Sequence, residues 1–417
     1  MLARFAILVA LLLFSTNIFS RDLLFTEIQK SASGDWSVSY TSAVPIKSLM
    51  FAISPNDSRR TRWSPEDKVF QLNYLNGKEI LTRRDNQYFN RVKFRLTPTY
   101  THLPKHYAPF SPYSDKGMLF HSARFFACPN LCSGQENLWS LSLKVPKGEH
   151  IVLNGESHQG EISWWDKNDG RKVYVGKGAV SEYKHYIGII DKKLPPGIRE
   201  KLELLFPQMM TKLSMHYGAL ENKPMLFASY GHTSDGSFGR QGGTLPDQVF
   251  MHWYGPLPQQ KAENEALLWF FAHEAAHMYQ HLLGRARSPI DNWVHEGHAD
   301  MMAKKLIQAL FPQYKAYVQH RSQVAKEKCL AVAEQSSLHK EVARNNYDIL
   351  YQCGLFIFDT IESFSSQSGV TEKLWQRYIQ ELAGAEQSPG ELLISLAEKQ
   401  FQLPQEDAAF FRQLISR

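Results

Sequence analysis

From about residue 34 to 190 the chain alternates apolar and polar positions in short runs, WSVSY, VFQLNYL, RVKFRL, WSLSLKV and KVYVG, with Pro, Gly, Asn and Asp between them. Period-two alternation of this kind predicts strands, and so an all-β unit. Its aromatic residues, Trp164 and Trp165 among them, either fill a sandwich core or stand outside it as a ligand surface. After Leu194-Pro195-Pro196-Gly197 the spacing becomes helical, beginning with IREKLELLFPQMMTKLSMHYG, which Pro207 must kink or divide. Two strands, PMLFASY and DQVFMHWY, are predicted around the Gly-rich stretch GSFGRQGGTLP, and residues 262–417 read as almost entirely helical. The expected class is α+β: a β-rich domain over residues 21–194, then a mainly helical domain over 195–417 with a small edge-strand sheet. No internal repeat is visible at solenoid periods.

The 417 residues suffice for two or three cores. Residues 1–20 join a basic start, the apolar run FAILVALLLF and small residues up to Ser20, the pattern of an export signal. A periplasmic or secreted location is therefore expected. The run is short of the ~20 residues a spanning helix needs, and no later segment is long and apolar enough, so no membrane span is expected in the mature chain. Four cysteines, Cys128, Cys132, Cys329 and Cys353, permit two disulfides in an oxidising compartment: a local Cys128–Cys132 bridge and a Cys329–Cys353 bridge between helices. The net charge of +6 is mild and its lysines and arginines are scattered, which argues against nucleic acid as a partner.

The chemistry concentrates in EALLWFFAHEAAHMYQHLLG, apolar at helical spacing and ending at Gly284 as a C-terminal cap. Within it stands His273-Glu274-Ala275-Ala276-His277. Two histidines four apart differ by about 400° of rotation and ~6 Å of rise, so both imidazoles leave one helix face toward one ion. Glu274, next to the first, can serve a metal-held water without ligating the metal. A catalytic zinc needs a third protein ligand and leaves its fourth position open. Candidates are His281, the cluster from His295 to His298, and Glu296 inside that cluster. His281 lies about 12 Å along the axis from His273, too far to converge on the same ion. The metzincin pattern is excluded, because it requires Gly and His where this chain has Gln280 and Leu283.

The segment Asn292–Asp300, NWVHEGHAD, resembles the WxxEGxA segment of aminopeptidase N and of the glycyl aminopeptidases, which are gluzincins (peptidase MA-like). In those families the glutamate is the third ligand, and the eighteen residues between His277 and Glu296 match their spacing. The resemblance implies a zinc metallopeptidase that binds one zinc ion per chain through His273, His277 and Glu296, with Glu274 as general base and peptide as substrate. Asp300 resembles the outer carboxylate that steadies a ligand imidazole. Tyr351-Gln352-Cys353-Gly354 resembles the family's Tyr-x-x-Gly segment, whose tyrosine hydroxyl donates to the oxyanion. Tyr347, one turn earlier, competes for that role, and Gly354 favours Tyr351. The stretch from Gly242 and Gly243 to Asp247 stands where relatives place a substrate-binding edge strand, although this chain lacks the glutamate that binds the substrate's amine there; the bland alternative is a strand-entry turn. His295 and His298 are left unassigned. The competing function is a zinc-containing peptide- or glycan-binding protein without catalysis.

Overall fold

The computed structural model describes residues 24–103, 106–134, 138–233, 236–256, 264–280, 291–364 and 369–416. The export signal, His281 and the Gly284 cap lie outside the described residues. The chain divides into two compact units, one of residues up to 110 with 120–151 and 157–176, the other of 111–119, 152–156 and 177 onward.

The first unit contains a six-stranded sheet in the order 161–166, 139–144, 24–30, 36–46, 89–96, 63–65, and a four-stranded sheet in the order 127–129, 48–51, 78–83, 70–75. Side chains on successive strand residues point to opposite faces, so each apolar alternation in the sequence becomes one buried face. Tyr40 from the first sheet meets Phe51 from the second edge-on at 5.8 Å, and Trp63 and Phe94 pack into the same cluster. The same alternation settles the tryptophan pair. Trp164 is buried, its indole N–H donating to Asp166, while Trp165 stands 57% exposed on the outer face.

In the second unit one sheet carries the strands 181–182, 187–190, 225–231, 248–254 and 239–245 in that order. Strands 181–190, which the sequence reading gave to the N-terminal domain, belong here: Ile187–Ile190 pairs in parallel with Met225–Gly231. Alternation marks a strand but not its partner. The Gly-rich stretch is itself a strand, Gly239–Leu245, antiparallel to Gln248–Tyr254 and at the edge of the sheet. Gly242 permits the pairing, since a Cβ there would lie 2.4 Å from the Phe250 carbonyl oxygen.

Five helices of this unit matter for the site: α1 (Phe206–Tyr217), α2 (Asn264–Tyr279), α3 (Asn292–Leu310), α4 (Lys315–Gln335) and α5 (Asp348–Phe364). Residues 196–217 stay helical throughout, and Pro207 follows a widened π turn over Lys201–Leu205 that accommodates its missing N–H. α2 is apolar on nearly every face, with Leu267, Leu268, Phe271, Ala272, Ala275 and Ala276 all buried. A helix of that kind has no place except the interior. α3 crosses α5 at two glycines: a Cβ on Gly297 would stand 2.4 Å from the Cα of Gly354. Backbone therefore rests on backbone there. Cys329 of α4 and Cys353 of α5 are joined, as are Cys128 and Cys132 in the first unit. No helix among the described residues is long and apolar enough to cross a membrane.

Candidate metal centre

One turn of α2 separates His273 from His277, and α3 brings Glu296 against both. The Nε2 atoms of the two histidines are 2.9 Å apart, and Glu296 Oε2 lies 3.1 Å from the first and 3.2 Å from the second. Among the described residues this is the one group of His, Cys, Asp or Glu atoms arranged to share an ion.

The other ring nitrogens determine what these atoms can do. Nδ1 of His273 faces Asp300 Oδ1 at 2.8 Å, and Nδ1 of His277 faces the Gln280 amide oxygen at 2.9 Å. The amide orientation is fixed because its nitrogen donates to the His295 carbonyl oxygen at 2.7 Å. Both partners accept only, so each Nδ1 carries a hydrogen, and in the neutral ring each Nε2 presents a lone pair. Two lone pairs and a carboxylate oxygen then converge within about 3 Å of one another, an arrangement that repels itself unless a cation sits among them. The separations approach the ~3.3 Å between neighbouring ligands of a tetrahedral ion with ~2.0–2.1 Å bonds. The donor set fits zinc. The surroundings favour a positive charge here, a proton on His273 when no metal is bound: burial alone would lower the His273 pKa, yet Asp300, Glu296 and Glu274 outweigh it and lift it to about 10. Glu296, despite its burial, is held below the usual carboxylate range by the two histidines.

Asp300 accepts a second hydrogen bond, from the Trp269 indole at 2.6 Å, so its position is set by α2 as much as by α3. Glu274 is half-buried beside the cluster, and the hydroxyl of Thr244 on the edge strand donates to its carboxylate. Tyr351 of α5 places its ring 5.6 Å from that of His273. Burial first, then the Glu296, Glu274 and Asp300 carboxylates, push its hydroxyl well above the usual tyrosine range, so it remains a proton donor. Tyr347 stands in the turn before α5 begins. Gly242 and Gly243 lie on the edge strand two and one residues before Thr244, whereas Asp247 sits in the two-residue turn between that strand and the next.

His295 and His298 are not surface residues. Both are buried against Trp375, and His298 stacks on it at 3.9 Å. Gln280 donates to His298 Nδ1 at 3.1 Å, and the opposite ring nitrogen is 3.1 Å from the Tyr217 hydroxyl. Burial lowers the pKa of both imidazoles, that of His295 to about 4, which keeps them neutral. Sequence reasoning missed three residues of this site: Gln280, Trp269 and Thr244. For the first two a signal existed, since Trp269 is four residues before His273 and Gln280 three after His277, on the same helix face as each. Thr244 offered none, because its contact crosses from strand to helix.

The sequence matches no family model and no curated protein. Its fold does have solved counterparts. An aminopeptidase N family protein from Idiomarina loihiensis superposes with a TM-score of 0.63 at 11% identity, over 94% of this chain and 76% of that one. The native LTA4 hydrolase of yeast superposes with a TM-score of 0.51, also at 11% identity, over 94% of this chain and 66% of that one. The chain spans only part of the length of either. In architecture it shares the fold of these two proteins.

Proposed function

We propose that this chain is an exported zinc metallopeptidase. The observation that carries the reading is the convergence of three acceptors, His273 Nε2, His277 Nε2 and Glu296 Oε2, with the Nδ1 atom of each histidine already engaged. One zinc ion per chain fits them, and bound there it would polarise a scissile carbonyl and lower the pKa of water to about 7. Glu274 then acts as general base, taking a proton from the attacking water and returning it to the leaving amine. The Thr244 hydroxyl orients that carboxylate. Tyr351, kept protonated by its surroundings, donates to the developing oxyanion, a contribution typically worth about 2.7–4 kcal/mol. The edge strand Gly239–Leu245 offers backbone groups to an extended peptide. Export is supported by the leader-like residues 1–20 and by the two disulfides, which belong to oxidising compartments.

The deciding experiment measures metal content and peptide hydrolysis together. The parent chain should hold one zinc and cleave peptides from a mixed library, with loss on chelation. Glu274→Gln should keep the zinc and the fold and lose nearly all turnover. Full zinc occupancy in Glu296→Ala would remove Glu296 from the ligand set. A zinc-loaded parent that cleaves nothing would leave the non-catalytic binding protein as the reading.

A further inference from the structure

Beside the metal cluster, and sharing Asp300 and Tyr351 with it, is a cavity of about 490 Å³. That volume lies within the ~300–1,000 Å³ of small-molecule sites. One wall is a single face of α4, where Tyr317, Arg321, Val324 and Lys328 recur at helical spacing. The opposite wall is α5, and the Cys329–Cys353 bridge ties the two walls together. Tyr351, whose ring also lies 5.6 Å from that of His273, joins this space to the cluster.

Its charge is uneven. Arg321 and Lys328 bring two cations, with the imidazole of His320 beside them. Of the two carboxylates in the lining, Asp300 is committed to His273 and Trp269. Asp348 is exposed in the first turn of α5, where a negative charge complements the helix end. The half-buried Arg321 guanidinium lies over the Trp269 ring at 4.4 Å and reaches the Tyr317 hydroxyl at 3.4 Å, with no carboxylate partner among the described residues. A guanidinium has five donors in a planar fork suited to a carboxylate, and most of them are unused here. Trp269 fixes the plane of that fork through the face it offers.

We propose that this cavity is a substrate subsite for a carboxylate, so that the enzyme selects peptides with a negative group close to the cleaved bond, either a free C-terminus or an Asp or Glu side chain. The proposal rests on the metallopeptidase reading, and its test keeps the two apart. Zinc-loaded Glu274→Gln protein is titrated with short peptides of one sequence, compared as free acid against C-terminal amide and as Asp or Glu against Asn or Gln at each position. The parent enzyme is assayed on the same set. One of the two carboxylate sources should tighten binding by about tenfold or more, an effect expected of charge-assisted hydrogen bonds. In the parent the preference should appear mainly in KM. Arg321→Gln should bring the acid-to-neutral ratio close to one, and the exposed Lys328→Gln should reduce it even if the arginine variant fails to fold. Equal binding of acidic and neutral peptides would overturn the subsite, as would a ratio that both variants leave unchanged. Absence of turnover alongside a clear acid preference in binding would instead count against the peptidase reading alone.

Discussion

One methyl group at Gly354 tests how close α3 and α5 must lie. Built on the backbone, that Cβ would stand 2.5 Å from the Gly297 Cα, 2.5 Å from the Trp293 carbonyl oxygen and 2.8 Å from the Gly297 nitrogen. Favourable contacts between such atoms begin near 3.5 Å, so the helices must part by roughly 1 Å. All three obstructing atoms are backbone, and no side chain can swing aside. Overpacking of this kind costs about 1–3 kcal/mol. In a unit of this size each kcal/mol lowers Tm by about 2–4 °C, so a drop of roughly 2–12 °C is expected of Gly354→Ala. The chemical effect should be larger. Glu296 is adjacent to Gly297 and Tyr351 is one turn before Gly354, so the separation that relieves the clash pulls a ligand and a proton donor apart. Misplacement by about 1 Å can cost ~10²-fold in rate. Scanning calorimetry, zinc analysis and kcat on one peptide read all three consequences, with Gly384→Ala as control because a Cβ there meets nothing within 4 Å. If Gly354→Ala melts and turns over like the parent, the glycine contact does not set the site and the argument fails.

Asp300→Ala and Gln280→Leu should each weaken zinc affinity by about 10–100-fold, measured by competition with a chromogenic chelator, because each removes the acceptor that fixes a ligand imidazole. Tyr351→Phe should lower kcat by about 10²–10³ with zinc retained; near-normal turnover there with a dead Tyr347→Phe would reverse the choice between the tyrosines. Thr244→Val should lower kcat more than it raises KM, since it frees the Glu274 carboxylate without touching the metal ligands; an unchanged kcat would mean that the hydroxyl does not orient the base. Single amino-acid amides should be poor substrates and longer peptides better ones, because the stretch Gly239–Asp247 has no glutamate to hold a free α-amine and Asp247 is its sole carboxylate. Efficient release of N-terminal residues, abolished both by Asp247→Ala and by blocking the substrate amine, would refute that preference.

The parts of the site readable in the sequence were those fixed by one helix at a time. His273 and His277 share a face by helical arithmetic, and Asp300 reaches the cluster because it lies one turn beyond Glu296 on α3. The mainly helical second half followed equally from period. What could not be read were contacts across elements. Thr244 meets Glu274 from a strand, and Gly297 meets Gly354 from another helix. The strands at 181–182 and 187–190 fall before the boundary expected at 194 yet pair with the second unit's sheet, because alternation carries no information about pairing partners. His295 and His298 stayed unassigned because sequence cannot say that Trp375 covers them.

The hairpin that holds Thr244 turns back through two residues, Pro246 and Asp247, between Leu245 and Gln248. In so short a turn, loop length dictates register, and a shift of one residue reverses the face on which every side chain of the strand emerges. An insertion at this surface turn would carry the Thr244 hydroxyl away from Glu274 while leaving every residue of the metal cluster as it was. With Glu274 as the proposed base, the number of residues in a peripheral loop would set how well that base is aimed, and chains that share the histidines and the glutamate but differ by one residue here would differ in rate.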